Sequence, residues 1–187
     1  NNEESCKYFT PFLKLINNKW FVIYCKEKRR MNGIVVDVKK VNFDDCHLFQ
    51  FAGTNLAQEP SRSATIYAIE QAKKHKKKVV FDLDFRPDQW DDIMQYGLTV
   101  RSVLQNVDIV IGTDDEINAS IHDEFDIEVI DGQVSDARIS GNIFNAIEKL
   151  KSYNIEIIVR KIGEDGCEIY TDNSIILPQP FPVEVVN

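Results

Sequence analysis

Charged residues directly follow an apolar run within residues 79–90 (VVFDLDFRPDQW). Asp82 and Asp84 are two residues apart, so both side chains would leave an extended strand on the same face. Arg86 follows two residues later, and Pro87 then interrupts both a strand ladder and a helix. Paired carboxylates can act as a nucleophile and as a general acid or base, and an arginine can bind phosphate oxygens. This stretch is the first candidate for a functional site.

The elements that must position these side chains are predicted by the hydrophobic pattern. From residue 47 onward, short apolar runs alternate with stretches whose apolar residues recur at helical spacing. Repeated β-α-β units predict an α/β fold, a doubly wound, mainly parallel sheet with helices on both faces. The predicted strands cover residues 48–52, 78–83, 108–112 and 155–160, with a hairpin at 167–171 and 174–177. The predicted helices begin at 60–61, lie near 97–105 and run over about 138–152.

Ligands of an open α/β sheet bind outside the carboxyl ends of its strands. Small or charged residues follow three of the predicted strands, at Gly53, Asp82 and Thr113, and a turn at Gly163 follows the fourth. We therefore expect these positions to lie along one rim. The helix faces expected to be buried carry Val100, Val103 and Leu104, and Ile139, Ile143, Ile147 and Leu150.

The first forty residues have a different pattern. Two β-rich runs, residues 8–15 and 20–25, flank a short connection, which is typical of a hairpin. We assign residues 1–40 to a small β lid with its connection and residues 41–187 to the α/β domain. The basic cluster that starts at Lys26 is either a solvated edge or a cationic lip over an anionic substrate.

The overall charge limits the classes of partner. A net charge of −8 and a pI near 4.9 argue against a nucleic-acid or membrane-surface partner. The lysine-rich run at 73–78 is interpreted as a helix end whose cations offset the helix dipole. No apolar run approaches the roughly 18 residues that span a bilayer, and no signal peptide opens the sequence. We expect a cytoplasmic protein.

Asp82 and Asp84 taken by themselves allow two interpretations. The pair is similar to the two aspartates of the haloacid dehalogenase phosphatases, although Arg86 stands where those enzymes have a threonine. Alternatively, both carboxylates have a purely structural role, capping loops and pairing with Arg86.

Four stretches taken together, 53–64, 82–90, 110–116 and 161–167, resemble the ribokinase-like (PfkB) carbohydrate kinases in order and spacing. Within that family the likeness is closest to the sugar-acid kinases that act on 5-dehydro-2-deoxygluconate in inositol catabolism. It extends over about residues 8–187. Because the chain begins Asn1-Asn2 without methionine, we expect it to be the central portion of a longer kinase.

The resemblance implies roles for individual residues. The family's D-x-[ND]-x-R run falls on Asp82, Asp84 and Arg86, which the resemblance places near the phosphate and substrate path. Its N-x-x-E motif, linked to magnesium and the phosphates, falls on residues 113–116 and ends at Glu116. The implied substrate-binding residues are Lys26, Gly53, Asp82, Asp84 and Arg86, and the implied nucleotide-binding residues are Thr113, Lys161, Gly163 and Gly166. Thr113 replaces the usual asparagine. Lys26 stands where the sugar-acid kinases have arginine, and lysine cannot make a bidentate carboxylate contact, so a neutral sugar also remains open.

The implied activity is the ATP-dependent phosphorylation of a hydroxyl on a sugar or sugar acid, with Mg²⁺ as cofactor. A homodimer formed through the lid is also implied. The family's Gly-Ala-Gly-Asp motif, which supplies an anion hole and the catalytic base, does not occur in these 187 residues. No residue is therefore assigned as the base, which we expect beyond Asn187, and we expect the chain alone to be inactive. The alternative is a non-catalytic ligand-binding or dimerisation module derived from the same fold.

Overall fold

The structure is a computed structural model that describes residues 21–22, 38–121, 139 and 141–180. In this part of the chain, seven strands form one sheet and follow each other across it in chain order. Strands β1 to β5 are parallel, and β6 and β7 are antiparallel to their neighbours. The strands are β1 (Phe21–Val22), β2 (Leu48–Ala52), β3 (Lys78–Asp82), β4 (Ile109–Gly112), β5 (Ile157–Lys161), β6 (Cys167–Tyr170) and β7 (Ile175–Ile176).

Within the described ranges, four α-helices lie between the parallel strands. They are α1 (Ser61–Lys74), α2 (Ile93–Leu104), α3 (Asp114–Ile121) and α4 (Ile143–Lys151). Helix α1 joins β2 to β3, α2 joins β3 to β4, and α3 and α4 both lie between β4 and β5 in the chain. This mainly parallel sheet with flanking helices confirms the predicted α/β fold class. Among the described residues, no helix is long and apolar enough to cross a membrane.

The core lies between one face of the sheet and these helices. Phe51 and Phe81 are register partners on β2 and β3, and their stacked rings have centroids 4.3 Å apart. Helix α1 brings three buried alanines, at 64, 68 and 72, to the core, and small side chains let a helix approach a sheet closely. On the other face, side chains such as Gln50 and Ile111 are only half-buried. Because right-handed crossovers in this strand order put helices on one face, the described helices cover the first face, whereas the sequence predicts helices on both faces.

Two predicted helix starts were wrong. Helix α2 begins at Ile93 rather than near residue 97, because Asp92 caps it by accepting the N–H of Gln95 at 2.6 Å. Helix α4 begins at Ile143 rather than 138, because the side chain of Asn142 accepts two backbone N–H groups of its first turn. Ile139 is buried as predicted but precedes the helix, and Ile143 is only partly buried. The predicted buried positions Val100, Val103, Leu104, Ile147 and Leu150 are confirmed.

The sequence predicts a lid in the first part of the chain and a hairpin in the last. Among the described strands, Phe21–Val22 is the outermost on one side and pairs in parallel with β2. The rest of the predicted lid, including Lys26, lies outside the described residues, so the lid remains a prediction. At the other edge the predicted hairpin is confirmed: β6 and β7 are antiparallel, and the N–H of Thr171 donates to the carbonyl of Ser174 at 2.9 Å.

Residues 181–187, which end at Asn187, lie outside the described residues. None of the described residues is assigned as the catalytic base.

Candidate active site

The carboxyl ends of β2 to β5 bring the predicted residues to one rim. Strand register places Ala52 opposite Asp82, Asp82 opposite Ile111, and Gly112 opposite Arg160. Gly53, Asp82, Thr113 and Lys161 therefore follow or end adjacent strands, as the sequence predicts for an open parallel sheet. Carboxylates, one lysine and the backbone turns that follow β2 and β5 therefore lie together along this rim.

Lys161 lies at the centre of the rim. Its Nζ is 3.2 Å from Asp82 Oδ1 and 3.1 Å from Glu116 Oε2, so one ammonium bridges carboxylates from β3 and α3. The side chain of Glu116 is 14% exposed, whereas those of Asp82 and Lys161 are about one-third exposed. The three groups together carry one excess negative charge, which favours a cation nearby.

Burial and charge affect the pKa values of this cluster in opposite ways. Burial raises the pKa of Asp82, and the neighbouring Lys161 only partly opposes this effect. Burial lowers the pKa of Lys161, but the carboxylates of Glu116 and Asp82 outweigh it and leave that pKa raised. Lys161 is therefore positively charged at neutral pH, which suits it to bind an anionic group.

Thr113 and Glu116 form a capping box at the start of α3. The N–H of Thr113 donates to Glu116 Oε2 at 2.8 Å, and the N–H of Glu116 donates to Thr113 Oγ1 at 3.4 Å. The threonine that replaces the family's asparagine thus retains an N-cap acceptor. The capping box also fixes the backbone that carries the Glu116 carboxylate towards Lys161.

Asp84 is held by two side chains. Its Oδ1 accepts Arg86 Nε at 2.9 Å, and its Oδ2 accepts the Thr54 hydroxyl at 3.1 Å. Asp84 also has a φ of +34°, an uncommon conformation for a residue with a side chain. Arg86 is 44% exposed, so its guanidinium remains accessible to an anion from solvent.

Gly53 makes the close approach of β2 and β3 possible. A Cβ at this position would lie 2.0 Å from the carbonyl oxygen of Leu83. The structure thus gives Gly53 a packing role at the rim.

In the turn after β5, glycine is needed for its backbone conformation rather than for close packing. Gly163 has a φ of +66° and Gly166 a φ of +92°, and the N–H of Gly166 donates to the carbonyl of Gly163 at 3.1 Å. An added Cβ at Gly163 would meet nothing within 4 Å. The turn therefore leaves open space beside the rim.

One network at the rim was missed by sequence reasoning. The guanidinium of Arg160 binds both carboxylate oxygens of Asp114 and also Glu168, whose carboxylate accepts the hydroxyl of Tyr170. Hydrogen bonds from Tyr170 and Arg160 lower the pKa of Glu168. Nothing in the sequence marks these four residues as partners, because the pairing depends on the register of three strands.

The carboxylates of the rim suit a divalent cation that brings further ligands with it. Within the described ranges, no group of three or more His, Cys, Asp or Glu side chains is placed to hold a metal ion. Glu116 and Asp82 are two carboxylates around one lysine. Mg²⁺ typically binds through one or two carboxylates, water and substrate phosphates, so this donor set fits a magnesium ion that arrives with a nucleotide.

Comparison with known proteins adds independent information. The family model described as pfkB family carbohydrate kinase matches residues 21–187. A 5-dehydro-2-deoxygluconokinase of Bacillus subtilis is 35% identical over 136 residues, which cover 72% of this chain and 37% of that protein. One of Mesomycoplasma hyopneumoniae is 28% identical over 154 residues, which cover 81% of this chain and 42% of that protein. The chain thus spans about two-fifths of the length of these curated relatives.

Solved structures with the same fold include two sugar or nucleoside kinases. A fructokinase of Vibrio cholerae, solved with fructose, ADP and calcium, is 21% identical with a TM-score of 0.59, covering 77% of this chain and 43% of that one. An aminoimidazole riboside kinase of Salmonella enterica, solved with aminoimidazole riboside and an ATP analogue, is 16% identical with a TM-score of 0.59. That match covers 75% of this chain and 41% of the other. At these identities the likeness establishes the fold.

Proposed function

Because this chain belongs to the pfkB family of carbohydrate kinases, we propose that it is the central portion of an enzyme that phosphorylates a sugar or sugar acid. The phosphoryl group comes from ATP, and the acceptor is a substrate hydroxyl. Phosphoryl transfer depends mainly on positioning and on neutralising charge. The rim of the sheet supplies groups for both.

The bridging position of Lys161 is the observation that carries this proposal. Its ammonium lies between the carboxylates of Asp82 and Glu116, within 3.2 Å of each. When a nucleotide binds, Lys161 can exchange a carboxylate for a phosphate oxygen, which leaves that carboxylate to interact with Mg²⁺. The cluster thus suits both components of a magnesium–nucleotide complex.

We assign the remaining site residues to a nucleotide side and a substrate side of the rim. On the nucleotide side, the turn at Gly163 and Gly166 gives access beside Lys161, and Thr113 holds the start of α3. On the substrate side, we assign Asp84 and Arg86, with Gly53 allowing the strand ends to meet. Lys26 would act from the predicted lid, through which two copies of the chain would also pair.

For the substrate we propose 5-dehydro-2-deoxygluconate. The support is the activity for which the Bacillus and Mesomycoplasma relatives are named, together with accessible cationic groups such as Arg86 for a substrate carboxylate. A neutral sugar is the alternative.

Nucleotide binding can be tested with the 187-residue chain itself. Titration calorimetry with ADP and Mg²⁺ is expected to give saturable binding, which Lys161→Met weakens by about tenfold or more because a charge-assisted contact is worth roughly 1.5–3 kcal/mol. Lys78→Met is the matched control, since Lys78 lies at the opposite end of β3 and pairs with Glu156. Equal effects of the two substitutions would count against the assignment of Lys161.

Turnover tests a separate part of the proposal. The 187 residues lack the Gly-Ala-Gly-Asp motif that would supply the catalytic base, so we expect no sugar-dependent ATP consumption in a coupled ADP-release assay. Sugar-dependent turnover by the purified chain would contradict the proposed inactivity. Binding without turnover agrees with a central portion that lacks its base.

A further inference from the structure

Arg160, the residue before Lys161 on β5, joins the first turn of α3 to strand β6. Its Nε and Nη2 donate to the two carboxylate oxygens of Asp114 at 2.6 and 2.7 Å. Its Nη1 donates to Glu168 Oε2 at 2.8 Å. The side chain of Arg160 is only 17% exposed, whereas that of Asp114 is 44% exposed, so the pair is shielded from solvent on the arginine side. Lysine cannot reproduce the planar fork that binds Asp114 at two points.

The first turn of α3 is held from several directions. Adjacent residues of a strand point to opposite faces, so Arg160 and Lys161 approach this turn from different sides. Arg160 binds Asp114, while Lys161 binds Glu116. Between them, Asp115 Oδ1 accepts a backbone N–H at 2.6 Å. Each of the three acidic residues of the turn therefore has a different partner.

Asp114 is not needed to cap the helix, because Thr113 and Glu116 already form the capping box. Its carboxylate is engaged by the fork of Arg160 instead. We propose that Arg160 is a positioning residue: through Asp114 it fixes the first turn of α3 and so holds the Glu116 carboxylate where a magnesium–nucleotide complex would meet it. This inference rests on the proposed function, because it assumes that Glu116 acts on nucleotide-bound magnesium.

The proposal separates two contributions to nucleotide binding. Lys161 contacts phosphate directly and acts with or without metal. Arg160 acts only by positioning Glu116. Replacing Arg160 should therefore reduce the increase in ADP affinity that Mg²⁺ produces. Residues that orient a metal ligand from outside the coordination sphere typically change metal affinity by about 10–100-fold.

The experiment measures ADP binding to the 187-residue chain by calorimetry, once with Mg²⁺ and once with EDTA. The ratio of the two dissociation constants gives the magnesium enhancement. Arg160→Lys and, independently, Asp114→Asn are expected to reduce that enhancement by about tenfold and leave the EDTA value unchanged. Glu156→Gln is the control, because it removes the Lys78 ion pair at the opposite end of the sheet and should leave the enhancement intact. Thermal unfolding of each variant confirms that it is folded.

The possible outcomes distinguish this inference from the function on which it rests. Unchanged enhancement in both variants would overturn the role of Arg160 while leaving nucleotide binding in place. An equal loss with Mg²⁺ and with EDTA would also overturn it, since that is the effect of general disruption. If the natural sequence binds no ADP under either condition, the proposed function fails and the inference fails with it.

Discussion

Replacing Gly53 by alanine tests the geometry that joins β2 and β3 at the rim. The new Cβ would lie 2.0 Å from the carbonyl oxygen of Leu83, and that contact must lengthen to at least 3.0 Å. The obstacle is backbone, so the strand ends themselves have to separate. Forced overpacking of this kind costs about 1–3 kcal/mol. The same movement strains the hydrogen bond from Thr54 to Asp84, worth roughly 1.5–3 kcal/mol because its acceptor is charged.

Together these effects predict a loss of about 3 kcal/mol or more in the free energy of unfolding, measured by urea denaturation at equilibrium. Gly163→Ala is the control, because its Cβ would meet nothing within 4 Å and only the φ of +66° is unfavourable. That conformation costs roughly 1–2 kcal/mol. If Gly53→Ala destabilises the chain no more than Gly163→Ala does, β2 and β3 do not approach each other at Gly53 as closely as the structure shows.

Substitutions at three further positions test individual contacts. Tyr96→Phe removes a buried hydroxyl that donates to the Leu83 carbonyl at 3.0 Å, so urea denaturation should reveal a loss of about 1–3 kcal/mol; no loss would argue against that bond. Thr113→Ala removes the N-cap of α3 and should cost about 1 kcal/mol, whereas Thr113→Asn should retain most of the stability; equal costs would contradict the capping box. The lowered pKa of Glu168 contributes stability above the usual value of 4.5 that is lost as the pH falls through the folded-state pKa. Denaturation at a series of pH values should therefore show a shallower acid decline for Glu168→Gln, and an unchanged decline would refute this contribution.

Much of the fold is predictable because its strands are short apolar runs that end at charged or small residues. The carboxyl ends of those runs also predict the rim, since parallel strands place their ends side by side. Helix α3 was harder to recognise: its first turn holds three acidic residues, which resemble a loop, although the Thr113 to Glu116 spacing is that of a capping box. The start of α4 was misjudged because Ile139 continues the helical period while Gly141 and Asn142 interrupt it.

Other features depend on tertiary contacts that a sequence does not encode locally. Gly97 lies inside α2, where glycine is unfavourable, yet a Cβ there would lie 3.1 Å from the carbonyl of Ala119 on α3. The glycine thus permits the two helices to approach closely. The fork between Arg160 and Asp114 likewise requires β4, β5 and the start of α3 to be placed first. Both features follow from packing between elements.

The central claim is that the carboxyl rim of the sheet binds the phosphates of a magnesium–nucleotide complex. The most direct test is a ¹H–¹⁵N NMR titration of the 187-residue chain with ADP and Mg²⁺. Our account predicts that amide shifts concentrate at Thr113, Glu116, Lys161 and Gly163, while Lys78 at the opposite end of β3 is unaffected. Shifts centred on the opposite end of the sheet, or none at saturating nucleotide, would contradict it.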